Sequence, residues 1–516
     1  MNAEKPFFYD VTLRDGNQAL KKPWNLKQKE IIFNKLIELG VQGIEVGFAG
    51  ASDMDFAACE YLAKIAPQDV VISGFARAIE YDIKKVYEAV KYAKKPRVHT
   101  FIALSEFNMK YVLQKEPEEV QKTAVNAVKF ARSLFGKDAD VQFSAEHFGD
   151  CESNIDFVIE TFLAVIEAGA NVINLPNTVE RSRPGKFLNL VKKVAEKIQD
   201  KAIISVHCHN DLGMATATTV ESYFLGARQL ECSLNGLGER AGNTNIYEVA
   251  IALYNSGVEV PLNLKKIYET AVLVSEMAEI PIYEKMPLIG DDALAHRSGI
   301  HQDGAAKTKG MKKGAYRPIQ PELIGREGEF IGFTSQSGKT AIYEIINNAG
   351  YPISMEEAQY LQPIMKKIAE ERGELTESEM LDVYFKELIY IKGPYRLVKF
   401  EDIDVANEIE KYYIVIEYNG KIIEGIGEGK GPIEAIVYMI RRTLEQNIKL
   451  LHYKQIALND NELGSKAKAM TIIQLTDLDK DLKIICRSLH DDTRKANLYA
   501  IINGLNLLEK LKDQKK

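Results

Sequence analysis

The sequence predicts an α/β chain: a (β/α)₈ barrel of the TIM-barrel class, then helical linker subdomains, then a small α+β domain. Three observations carry this. From Phe7 to about Gly257 one rhythm repeats eight times, a short apolar run followed by an amphipathic stretch. Beyond it the pattern is helical and broken by Pro and Gly, and from about residue 391 strands alternate with helices again. An open doubly wound sheet is the alternative for the first part, but eight evenly spaced strands favour closure. The expected division is 1–275 for the barrel, 276–390 for the linkers and 391–516 for the terminal domain.

The strands read FFYDVTL (7–13), IEVGF (44–48), VVISGFA (70–76), VHTFIA (98–103), DVQFSAE (140–146), VINLPN (172–177), IISVHCH (203–209) and QLECSL (229–234). Between them lie helical patterns such as LKQKEIIFNKLIELG (26–40), with apolar residues at helical spacing and Gly40 as the C-cap. In the linker region GDDALAHRSGIHQDGAAKTKG (290–310) reads as flexible, with His296 and His301 exposed. FTSQSGKTAIYEII (333–346) reads as a capped helix start, and helices follow over 355–373 and 378–389. In the terminal domain, 411–429 is a hairpin about Asn419-Gly420. Helices are expected over 432–446 and 493–511, and strands over 469–477 and 482–490.

The stretch that points to chemistry is the seventh strand. Residues two apart on a strand share a face, so His207 and His209 present two imidazoles together, an arrangement suited to a divalent metal. Cys208 between them is expected to face away. Barrel chemistry sits at the C-terminal strand ends, where the other polar residues fall: Arg14, Asp15, Glu45, His99, Ser144, Glu146, Asn174, Thr178, Glu239, Arg240 and Asn243. One polar rim of this kind argues for an enzyme.

Composition narrows the class. A net charge of −7 recommends neither nucleic acid nor an anionic membrane as partner. Five scattered cysteines show no paired spacing, which reads as a reducing compartment. MNAEKPFFYD has no basic-then-apolar leader and no run approaches a membrane span, so a cytoplasmic chain is expected.

Two motifs carry a resemblance. Leu13-Arg14-Asp15-Gly16-Asn17-Gln18 with Lys29, and the His207/His209 segment continuing through Asp211, Gly213 and Ala215, resemble the signatures of the acyl-CoA-dependent condensing enzymes of the 2-isopropylmalate synthase family, with homocitrate and citramalate synthases among its relatives. GLGERAGN (236–243) fits the same pattern, and Ser335-Gln336-Ser337-Gly338-Lys339 looks closest to the longer branch of isopropylmalate synthases. The resemblance implies a divalent metal (Mg²⁺, Mn²⁺ or Zn²⁺) held by Asp15, His207, His209 and Asn243, with acetyl-CoA as co-substrate. It implies a 2-oxoacid, 2-oxoisovalerate above pyruvate or 2-oxoglutarate, in a pocket of His99, Ser144, Asn174 and Thr178. It also implies Arg14 at the keto oxygen, His301 as base assisted by Tyr316, Glu146 shaping the site, a homodimer with shared sites and an amino-acid effector at the terminal domain.

Each residue has a competing structural reading. Asp15 could N-cap the next helix, Asn243 could be a turn residue after Gly242, Asn174 and Thr178 could cap strand ends, and Arg14 could pair with Glu45. His490 and Arg494 stand where the family carries a smaller, glycine-containing turn that helps bind leucine, a departure bearing on the effector and not on the fold. A hydroxymethylglutaryl-CoA-type lyase is disfavoured because its relatives carry a cysteine in the loop after the eighth strand, and 235–245 has none.

Overall fold

The computed structural model describes residues 5–136, 139–311, 313–326, 332–406, 409–458, 468–479 and 482–513; the first four residues of the N-terminal stretch lie outside them. The chain forms two compact units, Met1–Leu294 with Ile319–Glu329, and Ala295–Pro318 with Phe330–Lys516.

In the first unit β1 (Phe7–Asp10), β2 (Gly43–Gly47), β3 (Val71–Arg77), β4 (Lys95–Ala103), β5 (Asp140–Glu146), β6 (Val172–Asn177), β7 (Ile203–Cys208) and β8 (Gln229–Cys232) close into a parallel barrel in chain order, with β8 pairing back onto β1. Strand alternation divides each sequence into two rows. One row, with Phe8, Ile44, Ile72, Val98, Phe143, Leu175, Val206 and Leu230, lies in the core against the helices. The other faces inward: Arg97 on β4 donates to Gln229 on β8, strands that meet only through the barrel interior. The first helix, Leu26–Leu39, starts at an Asn25/Gln28 capping box and ends at the left-handed Gly40.

One strand is shorter than the sequence suggests. The run 7–13 reads as strand, but pairing stops at Asp10, whose carboxylate accepts from the Thr12 backbone N–H and hydroxyl, each at 2.8 Å. The chain then makes a single π-helical turn, Thr12–Gly16, which buries Arg14 and Asp15 at the barrel mouth.

In the second unit a helix over Gly299–Lys307 carries His301. Helices over Lys339–Asn348, Met355–Arg372 and Glu377–Tyr384 share one apolar cluster built on Ile342, Leu361, Met365 and Met380. Two expectations need correction here. His296 is buried, not exposed, because the segment folds as a helix start whose Gln302 amide donates to the His296 carbonyl. The helix at Lys339 has Gly338 at its N-cap and no side-chain cap, since the Ser337 hydroxyl is spent on Arg297 O and Thr334 N.

The terminal domain holds two three-stranded antiparallel sheets. One orders β11 (Lys421–Gly429), β10 (Ile409–Tyr418) and β9 (Tyr395–Ala406); the other orders β12 (Ile448–Leu458), β13 (Lys468–Asp477) and β14 (Leu482–His490). Helices Pro432–Thr443 and Thr493–Asp513 pack with them over Ile414, Ile440, Leu475 and Leu505. Strands β9 and β12 escape a sequence reading because charged or polar side chains break the alternation. Among the described residues no helix is long and apolar enough to cross a membrane.

Candidate active site

The π-turn after β1 and the end of β7 bring together three side chains that could hold a metal ion. One ligand atom each of Asp15, His207 and His209 lies within 4.8 Å of the others, and all three residues are buried. His207 Nε2 is 3.3 Å from His209 Nε2 and 3.8 Å from Asp15 Oδ2. Asp15 is no helix N-cap, a position that Asn25 fills; its Oδ1 accepts from the Glu239 backbone N–H. Asn243 forms an isolated backbone bridge with His209 and does not sit in a turn, and its Oδ1 is buried with no partner among the described residues. Gly238 makes room for this amide, since a Cβ there would sit 2.4 Å from Asn243 Nδ2.

Arg14 lies beside this cluster. Its Nε donates to Glu45 Oε2 at 2.5 Å, its Nη1 to Asp15 Oδ2 at 2.9 Å, and its guanidinium lies 4.2 Å from the centre of the Phe75 ring. Glu45 also accepts from Tyr9 and lies 2.6 Å from His99 Nδ1, so one buried carboxylate orients both Arg14 and His99. Burial pushes Asp15 and Glu45 up, but Arg14 beside both, with the imidazoles of His207 and His209 beside Asp15 and that of His99 beside Glu45, brings each down to about 2. Burial, the neighbouring His207 and the cations Arg240 and Arg14 lower His209 to about 3, so it is neutral at working pH and one of its ring nitrogens keeps a lone pair for a cation. Burial raises the Glu146 carboxyl above the usual range.

The cavity at this mouth holds about 210 Å³, and Arg14, Asp15, His99, Ser144, Glu146, Asn174, Thr178, His207 and His209 all line it. Asn174 Nδ2 donates to Ser144 Oγ at 2.8 Å, and its Oδ1 has no partner among the described residues. Thr178 does cap, accepting from the His147 backbone N–H at 2.8 Å. That leaves its hydroxyl hydrogen to donate. In the second unit the rings of His301 and Tyr316 stack with centroids 4.2 Å apart, and both residues are exposed. Gly304 permits the pairing, because a Cβ there would meet the Tyr316 ring at 2.5 Å.

Comparison with known proteins bears on the whole chain. Residues 5–274 match the HMGL-like family, 288–373 the homocitrate synthase post-HMGL domain-like family, and 374–509 the LeuA allosteric (dimerisation) domain. The 2-isopropylmalate synthase of Dictyoglomus turgidum is 35% identical over 513 residues, covering 98% of this chain and 99% of that one. The chain belongs to the 2-isopropylmalate synthase family. Within it, 2-isopropylmalate synthase 2 of Leptospira interrogans (serogroup Icterohaemorrhagiae, serovar Lai) is 59% identical over 378 residues, 73% of this chain and 88% of its own. The family's enzyme from Campylobacter hominis is 35% identical over 98% of this chain and 99% of its own.

Sequence reading did not single out four residues that line the cavity, Phe75, Phe101, Pro176 and Glu231. A signal for Glu231 exists. Gln229, Glu231 and Ser233 alternate as polar residues within a strand, as do Gln142, Ser144 and Glu146, and this row is the inward one.

Proposed function

We propose that the chain joins acetyl-CoA to 2-oxoisovalerate in a Claisen-type condensation and hydrolyses the thioester, making 2-isopropylmalate in the committed step of leucine synthesis. The observation that carries this is the convergence of Asp15, His207 and His209 on one point beside Arg14. The donor set fits a divalent cation: a carboxylate, two imidazole nitrogens facing each other at 3.3 Å, and Asn243 Oδ1, which has no partner among the described residues. Bound there, Mg²⁺, Mn²⁺ or Zn²⁺ would polarise the keto group and offset the alkoxide charge. Arg14, held by Glu45 and Asp15, adds a fixed positive charge at the same oxygen. Thr178 donates to the substrate carboxylate, and His99, Ser144 and Asn174 flank the keto acid.

His301 takes a proton from the acetyl methyl group, with Tyr316 against its ring, and the resulting carbanion attacks the keto carbon. Water then cleaves the thioester and CoA leaves. Glu146, raised by burial, shapes the cavity wall. His301 and Tyr316 serve the barrel of a partner subunit in a homodimer, a reading supported by the match of 374–509 to an allosteric dimerisation domain; the same match supports an amino-acid effector there. The three-part division at 275 and 390 belongs to this proposal, supported by the separate apolar clusters of the linker helices and the terminal domain. So does a cytoplasmic location, supported by five free, buried cysteines.

One observation favours a second keto acid. Phe75 and Phe101 stack at 4.4 Å and line the cavity, and two large rings leave less room for a branched tail, as pyruvate (citramalate synthesis) would require. The 2-oxoglutarate (homocitrate) reading would need an added cation, and Arg77 is spent on Asp82 through two hydrogen bonds of 2.7 and 3.1 Å. Thiol release from acetyl-CoA, measured with a panel of 2-oxoacids with and without chelator, decides. The expected result is chelator-sensitive release, fastest with 2-oxoisovalerate; preference for pyruvate would replace the substrate, and insensitivity to chelator would remove the metal.

A further inference from the structure

The most buried cation of the barrel lies well below the site. Arg97 is 2% exposed, and the reaction proposed above makes no use of it. We infer that Arg97, at the barrel floor, sets the tautomer of the mouth imidazole His207 through hydrogen bonds of forced direction that end at Glu231, whose other carboxylate oxygen lies against the His207 ring. The inference rests on the proposed metal site, since its consequence is which nitrogen of His207 offers a lone pair.

The direction follows from what each group is able to do. A guanidinium only donates. Arg97 Nη1 donates to Gln142 Oε1 at 3.1 Å and to Gln229 Oε1 at 2.6 Å, while Nη2 donates to Asp140 Oδ2 at 2.8 Å. Both glutamines must therefore turn their oxygens to the floor and their NH₂ groups to the mouth. Gln142 Nε2 donates to Glu231 Oε1 at 2.7 Å, and the same nitrogen lies 3.2 Å from His99 Nε2. Gln229 Nε2 donates to Ser205 Oγ at 3.0 Å, and that hydroxyl donates onward to Glu231 Oε1 at 3.1 Å. With Oε1 occupied, Glu231 turns Oε2 to His207 Nδ1, 3.2 Å away as an ion-pair contact and not an aligned hydrogen bond, and neither atom has a hydrogen-bond partner among the described residues. An ionised carboxylate only accepts, so Glu231 favours the tautomer with the His207 proton on Nδ1. In that tautomer Nε2, the atom that faces Asp15 and His209, keeps its lone pair.

A barrel floor needs no cation to be filled, and apolar layers fill it at lower desolvation cost. What an apolar floor lacks is direction. Were the two amides reversed, Glu231 would meet carbonyl oxygens and lose the donors that aim it at His207. Arg97, Gln142 and Glu231 are thus positioning residues, acting on the ligand set through His207.

The test uses the full-length chain, metal-free, with ¹⁵N-labelled histidine, His207 being assigned by its absence in His207→Gln. Mn²⁺ binding is measured by calorimetry on the same samples. The wild type is expected to show His207 as the Nδ1–H tautomer. Glu231→Gln, equal in shape, should move that signal towards Nε2–H and weaken Mn²⁺ binding about 10- to 100-fold. Arg97→Met should do the same from the far end of the chain of bonds, and Gln142→Met stands in for it should the buried charge be needed for folding. A wild-type Nε2–H tautomer, or variants with unchanged His207 signals and Mn²⁺ affinity, would overturn the inference. Wild-type protein that binds no Mn²⁺ would instead sink the functional reading, while the metal-free spectra still judge the tautomer.

Discussion

The barrel and the terminal domain both pack sheets against helices, yet they bury opposite chemistries. Inside the barrel lie Glu45, Arg97, His99, Gln142, Gln229 and Glu231, nearly all bonded to one another. The terminal core is Ile414, Ile416, Ile436, Ile440, Ile473, Leu475 and Leu505, and its buried Arg487 pairs with Glu357 of a linker helix outside that core. Buried charge is costly unless each partner is satisfied, so the barrel interior is built for direction and the terminal core for cohesion. Substitutions of equal size should then act differently: on function in the barrel, on stability in the terminal domain.

The sharpest form of the contrast is His209→Ala. It removes one of two facing imidazoles, and condensation is expected to fall to background while the melting temperature stays within a few degrees, read by thiol release and calorimetry. Turnover near the wild-type rate would break the comparison at once. Arg14→Lys follows. It keeps the charge beside Glu45 but loses the fork that spans Glu45 and Asp15, so kcat should fall about 10²-fold with folding preserved.

Much of this was legible beforehand, for physical reasons. Eight apolar runs at even spacing specify a barrel, and strand alternation puts His207 and His209 on one face. What pattern could not show is how the rows meet across the interior: Arg97 and Gln229 are 132 positions apart and touch only because the sheet closes. Nor could it see that the first strand ends at Asp10, since FFYDVTL is strand-like throughout and it is the Asp10–Thr12 pair that turns Arg14 and Asp15 inward. The edge strands β9 and β12 were lost for the opposite reason, having one face in water and no clean alternation.

Asp10 gives a pH test of the buried-charge side. Burial pushes its carboxyl from an ordinary 3.8 up to about 7, against the opposing hydrogen bonds from Thr12. The folded chain thus holds a proton that the unfolded chain releases, and stability from this group is full below about pH 4 and is lost as the pH rises to 7, by roughly 2–4 kcal/mol. In Asp10→Asn that slope should vanish, so the variant gains on the wild type between pH 5 and pH 8 in calorimetric melts. A constant difference across that range would place Asp10 among ordinary carboxylates.

The smallest expected effect tests the other half of the contrast. Ile440 is fully buried in the terminal core, and Ile440→Val removes one methylene from it without adding a polar atom. The cost should be about 1 kcal/mol of unfolding free energy, seen as a modest shift of the denaturation midpoint, with Mn²⁺ affinity and kcat unchanged. Glu231→Gln replaces a single oxygen with NH₂ at equal volume, and there the order should reverse: a small change in the midpoint and a large one in Mn²⁺ affinity. If Ile440→Val moved metal affinity as much as Glu231→Gln does, cohesion in the terminal domain and direction in the barrel would be one property. The separation drawn between the two cores would then fail.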